Sequence, residues 1–176
     1  MGNGNAKFDR NVEMDAKQAI ESSMNAGLTV LNKYVGDLDD ADLMERPGLG
    51  CNHLAWQLGH LIASESFLVN LVCPGQGAVL PEGFAEAHAK DKCDVEERSH
   101  FLTRDEYLKL YDEVRVASKK ALAELPIERL DEPAPERFRS VFPTVGAVFL
   151  LIANHPMMHA GQFVPVRRRK GKPVLI

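Results

Sequence analysis

Along four separate stretches of this chain, apolar residues recur every three or four positions, and turn-forming residues divide the stretches. That period belongs to helices, and no run of useful length alternates with the period of two that a half-buried strand requires. The first stretch runs from about Val12 to Val35. Ile20, Met24, Leu28, Leu31 and Val35 line one stripe of it. Gly36 and the acidic run at 37–40 end it, and Arg46-Pro47-Gly48-Leu49-Gly50 reads as a connection. The second stretch runs from about Cys51 to Val72, with Asn52 placed to cap it and Cys73-Pro74-Gly75 placed to stop it. Its apolar positions cover more than one face, so this helix is expected to be largely buried. Thr103 and Glu106 form a capping box before the third stretch, where Tyr107, Leu110, Tyr111, Val114, Ala117, Ala121 and Leu125 recur until Pro126. The fourth starts near Pro143-Thr144 and runs through Val164, with its stripe on Val148, Ile152, His155, His159 and Gln162.

Four amphipathic helices of this length predict an all-α four-helix bundle. A chain of 176 residues fits one domain spanning 1–176, with residues 1–10 a flexible N-terminus. Between the second and third helices, Pro74 to Leu102 shows no clean period. The sequence predicts a long irregular connection there, with a short helical piece at Phe84–Ala89.

Charge and cysteine usage exclude several classes. Lys and Arg number 21 against 25 Asp and Glu, a net −4, so no nucleic-acid partner is expected. The basic run Arg167-Arg168-Arg169-Lys170 reads as a solvated group favoured by the end of the last helix. No apolar run is long enough to span a bilayer, so no membrane association is expected. Three unevenly spaced cysteines, without a CxxC pair, fit free thiols in a reducing compartment and hence the cytoplasm.

Six histidines remain to be placed. His88 and His100 fall in the irregular connection and read as solvated. His155 and His159 form an HxxxH pair on the fourth helix, and residues four apart stack on one face. Alone, such a pair is better explained by two partly exposed or core histidines. His60, on the apolar stripe of the second helix with Trp56 and Ala63, changes the weighing. Bundles build metal sites from histidines on facing helices. Three imidazoles without a fourth protein ligand leave an open coordination position, as catalytic zinc sites do. His53 lies seven residues before His60, two turns away, and reads as a cap-proximal or pocket-mouth residue. Trp56 stands one turn before His60, where it walls the pocket or joins the core. Gln162 is assigned either to hydrogen bonding beside the metal or to helix packing. Pro156 breaks a local helix rule beside the candidate ligands, and Pro165 is expected to kink or end the helix. No residue can be assigned as catalytic from spacing alone.

Asn52-His53-Leu54-Ala55-Trp56-Gln57-Leu58-Gly59-His60-Leu61, followed downstream by His155-Pro156-Met157-Met158-His159-Ala160-Gly161-Gln162, resembles the DinB/YfiT-like superfamily of metal-dependent proteins. The resemblance covers about residues 12–174. It implies an up-down-down-up four-helix bundle and a divalent metal, nickel or zinc, held by His60, His155 and His159. It implies a homodimer, and a small-molecule substrate handled with a low-molecular-weight thiol. The function expected is that of a thiol S-transferase or hydrolase, in which a thiol or a metal-bound water attacks a small electrophile. The alternative is a non-catalytic metal-binding or dimeric interaction bundle.

Overall fold

Asp15 and Gln18 close a reciprocal capping box at the start of the first helix, α1 (Ala16–Val35), so two otherwise free backbone N–H groups are satisfied. The structure, a computed structural model, describes residues 13–175. The expected helix start at Val12 and the expected flexible segment 1–10 lie outside them. The remaining helices are α2 (Leu54–Val72), α3 (Phe84–Ala87), α4 (Arg104–Glu124), α5 (Glu136–Arg139) and α6 (Val145–Arg169). Short 3₁₀ turns lie in three of the connections, between α1 and α2, α3 and α4, and α4 and α5, and no strand occurs among the described residues. The fold is all-α, as the helical periods require.

The four long helices pack as a ring, with α1 against α6 and α4, and α2 against α4 and α6. Their buried stripes form two apolar clusters. One gathers Leu31, Leu58, Leu61, Tyr107, Val114 and Phe163. The other gathers Met24, Val69, Leu122, Val148, Phe149 and Ile152. Between them in sequence along every long helix lies a more polar level. Gly27 stands there on α1, Glu65 on α2, Arg115 and Ser118 on α4, and His155 and Pro156 on α6. Glu65 and Arg115 are each 3% exposed and form an ion pair at 2.8 Å. The second Glu65 oxygen, Arg115 Nε and Nη1, and the Tyr111 hydroxyl close no hydrogen bond.

Pro156 does not break α6, which continues through both prolines to Arg169. The expectation of an ending near Val164 is therefore corrected. Pro156 is buried, and its ring faces Gly27 of α1. A Cβ on Gly27 would stand 2.5 Å from the Ala153 carbonyl oxygen and 3.2 Å from Pro156 Cγ. The α1–α6 approach thus depends on Gly27 having no side chain. Gly27→Ala is expected to cost about 1–3 kcal/mol, as overpacking does. Gly161→Ala, where an added methyl meets nothing within 4 Å, is expected to gain about 0.5–1 kcal/mol. Urea unfolding of both variants checks the pair of opposite signs.

Of the basic run that closes α6, Arg168, Arg169 and Lys170 are exposed, as expected of a solvated group, but Arg167 is not. Arg167 is fully buried, with Nη1 donating to the Tyr34 carbonyl at 2.7 Å and pairing with Asp37 at 2.5 Å. Its Nε donates to the Pro173 carbonyl. Arg169 and Lys170 pair with Glu45, and Lys170 also with Asp42. The physical reason lies in the stripe: Arg167 falls one turn after Phe163 and so arrives on the core face. Among the described residues no helix is long and apolar enough to cross a membrane.

The 74–102 connection contains α3, two 3₁₀ turns and several anchors to the bundle. Ser66 Oγ donates to the Ala78 carbonyl, and the Trp56 indole N–H donates to the Ala89 carbonyl. Arg46 donates to the Cys51 and Cys93 carbonyls. The segment is stapled along α2 from Trp56 to Ser66.

Candidate metal centre

His60 lies one turn into α2 from Trp56, and His155 and His159 lie one turn apart on α6. Because α2 and α6 pack together, the three rings converge. One nitrogen from each can be chosen so that all three lie within 4.8 Å of one another. Ring centroids are 5.3 Å apart for His60–His155, 5.6 Å for His60–His159 and 4.9 Å for His155–His159. The facing Nε2 atoms of His155 and His159 are 3.2 Å apart. Ligand nitrogens at 2.0–2.1 Å from one ion stand about 3.0–3.4 Å apart, so this pair already has a ligating separation. The half-buried His60 offers the third nitrogen, within 4.8 Å of the other two. Among the described residues no carboxylate or thiolate joins this group. An all-imidazole donor set suits zinc, nickel, copper or iron.

Gln57 fixes the geometry, and it was not singled out from sequence. It is buried on α2, and its Nε2 donates to the Asn52 carbonyl at 2.8 Å. Its Oε1 is thereby turned to accept from His159 Nδ1 at 2.7 Å. His159 consequently carries its proton on Nδ1 and presents the Nε2 lone pair to the centre. The available signal was spacing: Gln57 precedes His60 by three positions and shares the edge of its face. Gln162, read as a candidate for this role or for packing, is solvent-exposed and makes no side-chain hydrogen bond among the described residues. Gln57→Ala is expected to weaken metal affinity about 10- to 100-fold. Competition for zinc with a fluorescent chelator measures it.

Trp56 stacks on His60, with the rings nearly parallel at 5° and centroids 5.0 Å apart. It walls one side of the centre while its N–H anchors the 74–102 segment. His53 is elsewhere. It is the N-cap of α2, a place expected for Asn52, and it is completely buried. Its Nδ1 accepts from the Trp56 backbone N–H at 3.0 Å, and its Nε2 donates to the Val95 carbonyl at 3.0 Å. Of the two expected places for His53, cap-proximal or pocket-mouth, the structure gives the first: it is the cap itself, with both ring nitrogens occupied. His88 is not solvated either. It is 3% exposed, donates from Nδ1 to the Phe84 carbonyl and accepts the Tyr107 hydroxyl at Nε2. A Cβ on Gly59 would collide with its ring, so glycine at this position gives His88 its seat. His100 is exposed, as expected.

Burial disfavours the charged form of these rings. It lowers His155 from 6.5 to about 4, helped by neighbouring His60. It lowers His159 from 6.5 to about 3, helped by His155 and His60. His60, His53 and His88 shift the same way, mainly through burial. All three rings of the triad are thus held toward the neutral form, the form whose lone pairs can accept a metal. A folded-state pKa below the unfolded one means that the unfolded chain binds more protons. The associated stability is full above 6.5 and is lost as pH falls from 6.5 through about 4 and 3. Thermal unfolding in chelator should show Tm falling over that window. A His155→Gln, His159→Gln variant should show a shallower fall.

The sequence pattern of the DinB superfamily matches residues 25–163. That span contains all three histidines of the centre. Among solved structures, the chain is similar to a conserved protein from Enterococcus faecalis, with a TM-score of 0.61 and 15% sequence identity. The likeness covers 91% of this chain and 100% of that one, and it concerns the fold alone. No curated protein matches the sequence.

Proposed function

The chain belongs to the DinB superfamily, and from that premise we propose that it is a metal-dependent enzyme. In this reading His60, His155 and His159 hold a divalent ion, nickel or zinc. The small electrophilic substrate is attacked by a low-molecular-weight thiol or by water. The observation that carries the proposal is the 3.2 Å approach of His155 and His159 Nε2, with His159 turned by Gln57 and with His60 on the facing helix. His159 Nδ1 is held by Gln57, while the Nε2 atoms of His155 and His159 face only each other, and a cation between them would give both lone pairs a partner.

When bound, the ion would supply Lewis acidity at its open position, lowering the pKa of a thiol or water there. The chain's residues supply the rest. Gln57 holds the His159 tautomer. Trp56 restricts the His60 ring and shields one side from water. The half-buried Ser64 places its hydroxyl 3.5 Å from both His60 ring nitrogens. We further propose the up-down-down-up helix order of the family and a homodimer, for which the exposed Leu150, Met157 and Met158 on α6 offer apolar surface.

Nickel- or zinc-loaded protein, given a low-molecular-weight thiol and an activated electrophile, is expected to form the S-conjugate faster than the free ion does. Mass spectrometry of the product reads this, and His159→Ala should abolish the excess. Metal-loaded protein without turnover over a panel of thiols, and without hydrolysis of activated esters or amides, would sink the enzymatic reading.

A further inference from the structure

The donor set of the centre is electrically neutral. Three imidazoles leave the charge of a divalent ion uncompensated, and among the described residues no carboxylate joins the group. A charged side chain stands at its edge, and it is a cation. Lys90 directly follows Ala89, whose carbonyl accepts the Trp56 indole N–H at 3.2 Å, and Trp56 in turn stacks on His60. The 3₁₀ turn Lys90–Lys92 is thereby held beside the centre, separated from His60 by one indole ring. Lys90 is exposed and makes no ion pair or side-chain hydrogen bond among the described residues. Many other basic side chains are engaged: Arg46 with Glu96, Arg98 with Asp40, Arg115 with Glu65, Arg167 with Asp37, and Lys170 with Asp42.

We propose that Lys90 is a specificity-determining residue of this centre, and that the ligand reaching the open position carries a second, anionic group that Lys90 meets. The inference rests on the metal reading and deepens it: the substrate or thiol is an anion, with its negative group on the Ala89–Lys90 side. A neutral donor set, a cation and an unpaired lysine together attract negative charge, and a ligand with a remote anion balances all three. Exposure keeps the contribution modest, about threefold to fivefold in affinity at low salt.

The test uses cobalt(II) as a spectroscopic stand-in, and two thiols that differ in one remote charge, 2-mercaptoethanesulfonate and 2-mercaptoethanol. Titration of the thiolate-to-cobalt absorption gives Kd for each without any turnover. The full chain is expected to prefer the sulfonate about threefold to fivefold, and added salt should erase the preference. Lys90→Gln should erase it too, Lys90→Arg should keep it, and Lys92→Gln on the same turn should leave it unchanged. Equal binding of the two thiols, a preference surviving Lys90→Gln, or no binding of either thiol would overturn the inference while leaving the metal site standing. Failure to take up cobalt would remove the metal reading and this inference with it.

Discussion

Purified without an affinity tag, the protein is expected to carry about one divalent ion per chain, and the His60→Ala, His159→Ala double variant about none. Elemental analysis reads both. The effect is large because three imidazoles are the whole protein donor set, and removing two leaves His155 alone. The variant should still fold, because His60 and His159 sit at the edge of the α2–α6 contact and not at the centre of either apolar cluster. Circular dichroism provides that control. Absence of metal from both proteins, even after reconstitution with nickel and zinc, would reduce the triad to packed polar residues.

The largest stability effect is expected at the Glu65–Arg115 pair. Both side chains are 3% exposed and bonded at 2.8 Å. Burial pushes the Glu65 carboxyl upward, and Arg115 opposes that shift. Glu65→Ala leaves a buried guanidinium without its counter-charge, and Arg115→Ala leaves a buried carboxylate. Either should cost about 3–5 kcal/mol. Replacing both together by apolar residues of similar volume should cost far less, because it removes two desolvation penalties with one attraction. Urea unfolding of the singles and the double forms a cycle. Singles that lose under 1 kcal/mol would mean that water reaches the pair.

Local signals were readable in the sequence, and those that depend on a distant neighbour were not. Thr103 and Glu106 cap α4 as their spacing demands, because a capping box is complete within four residues. The stripes on α2 and α6 brought His60, His155 and His159 together, because helix periodicity fixes which side chains share a face. His53 has nearly the same face as His60, yet it became a cap, because α2 begins at Leu54 and the ring was at hand for the free Trp56 N–H. His88 sits in a stretch without period, and only the fold could reveal Tyr107 above it and Gly59 beneath it. Arg167 was disguised by neighbouring cations. Its position one turn beyond Phe163 was the overlooked clue. Gln57 lay unmarked among apolar neighbours, and its role required a partner 102 positions away.

The centre joins only α2 and α6, whose ligands His60 and His159 lie far apart in the chain. An occupied centre is therefore a removable cross-link, closing a long loop in the unfolded ensemble much as a disulfide would. At a free ion concentration 100 times Kd it would add about 2.7 kcal/mol to stability. In a cell such a cross-link would turn metal supply into protein lifetime. Molecules without the ion would open α2 from α6 more often and meet proteases more often, so metal starvation would thin the pool of this protein before any change in its synthesis.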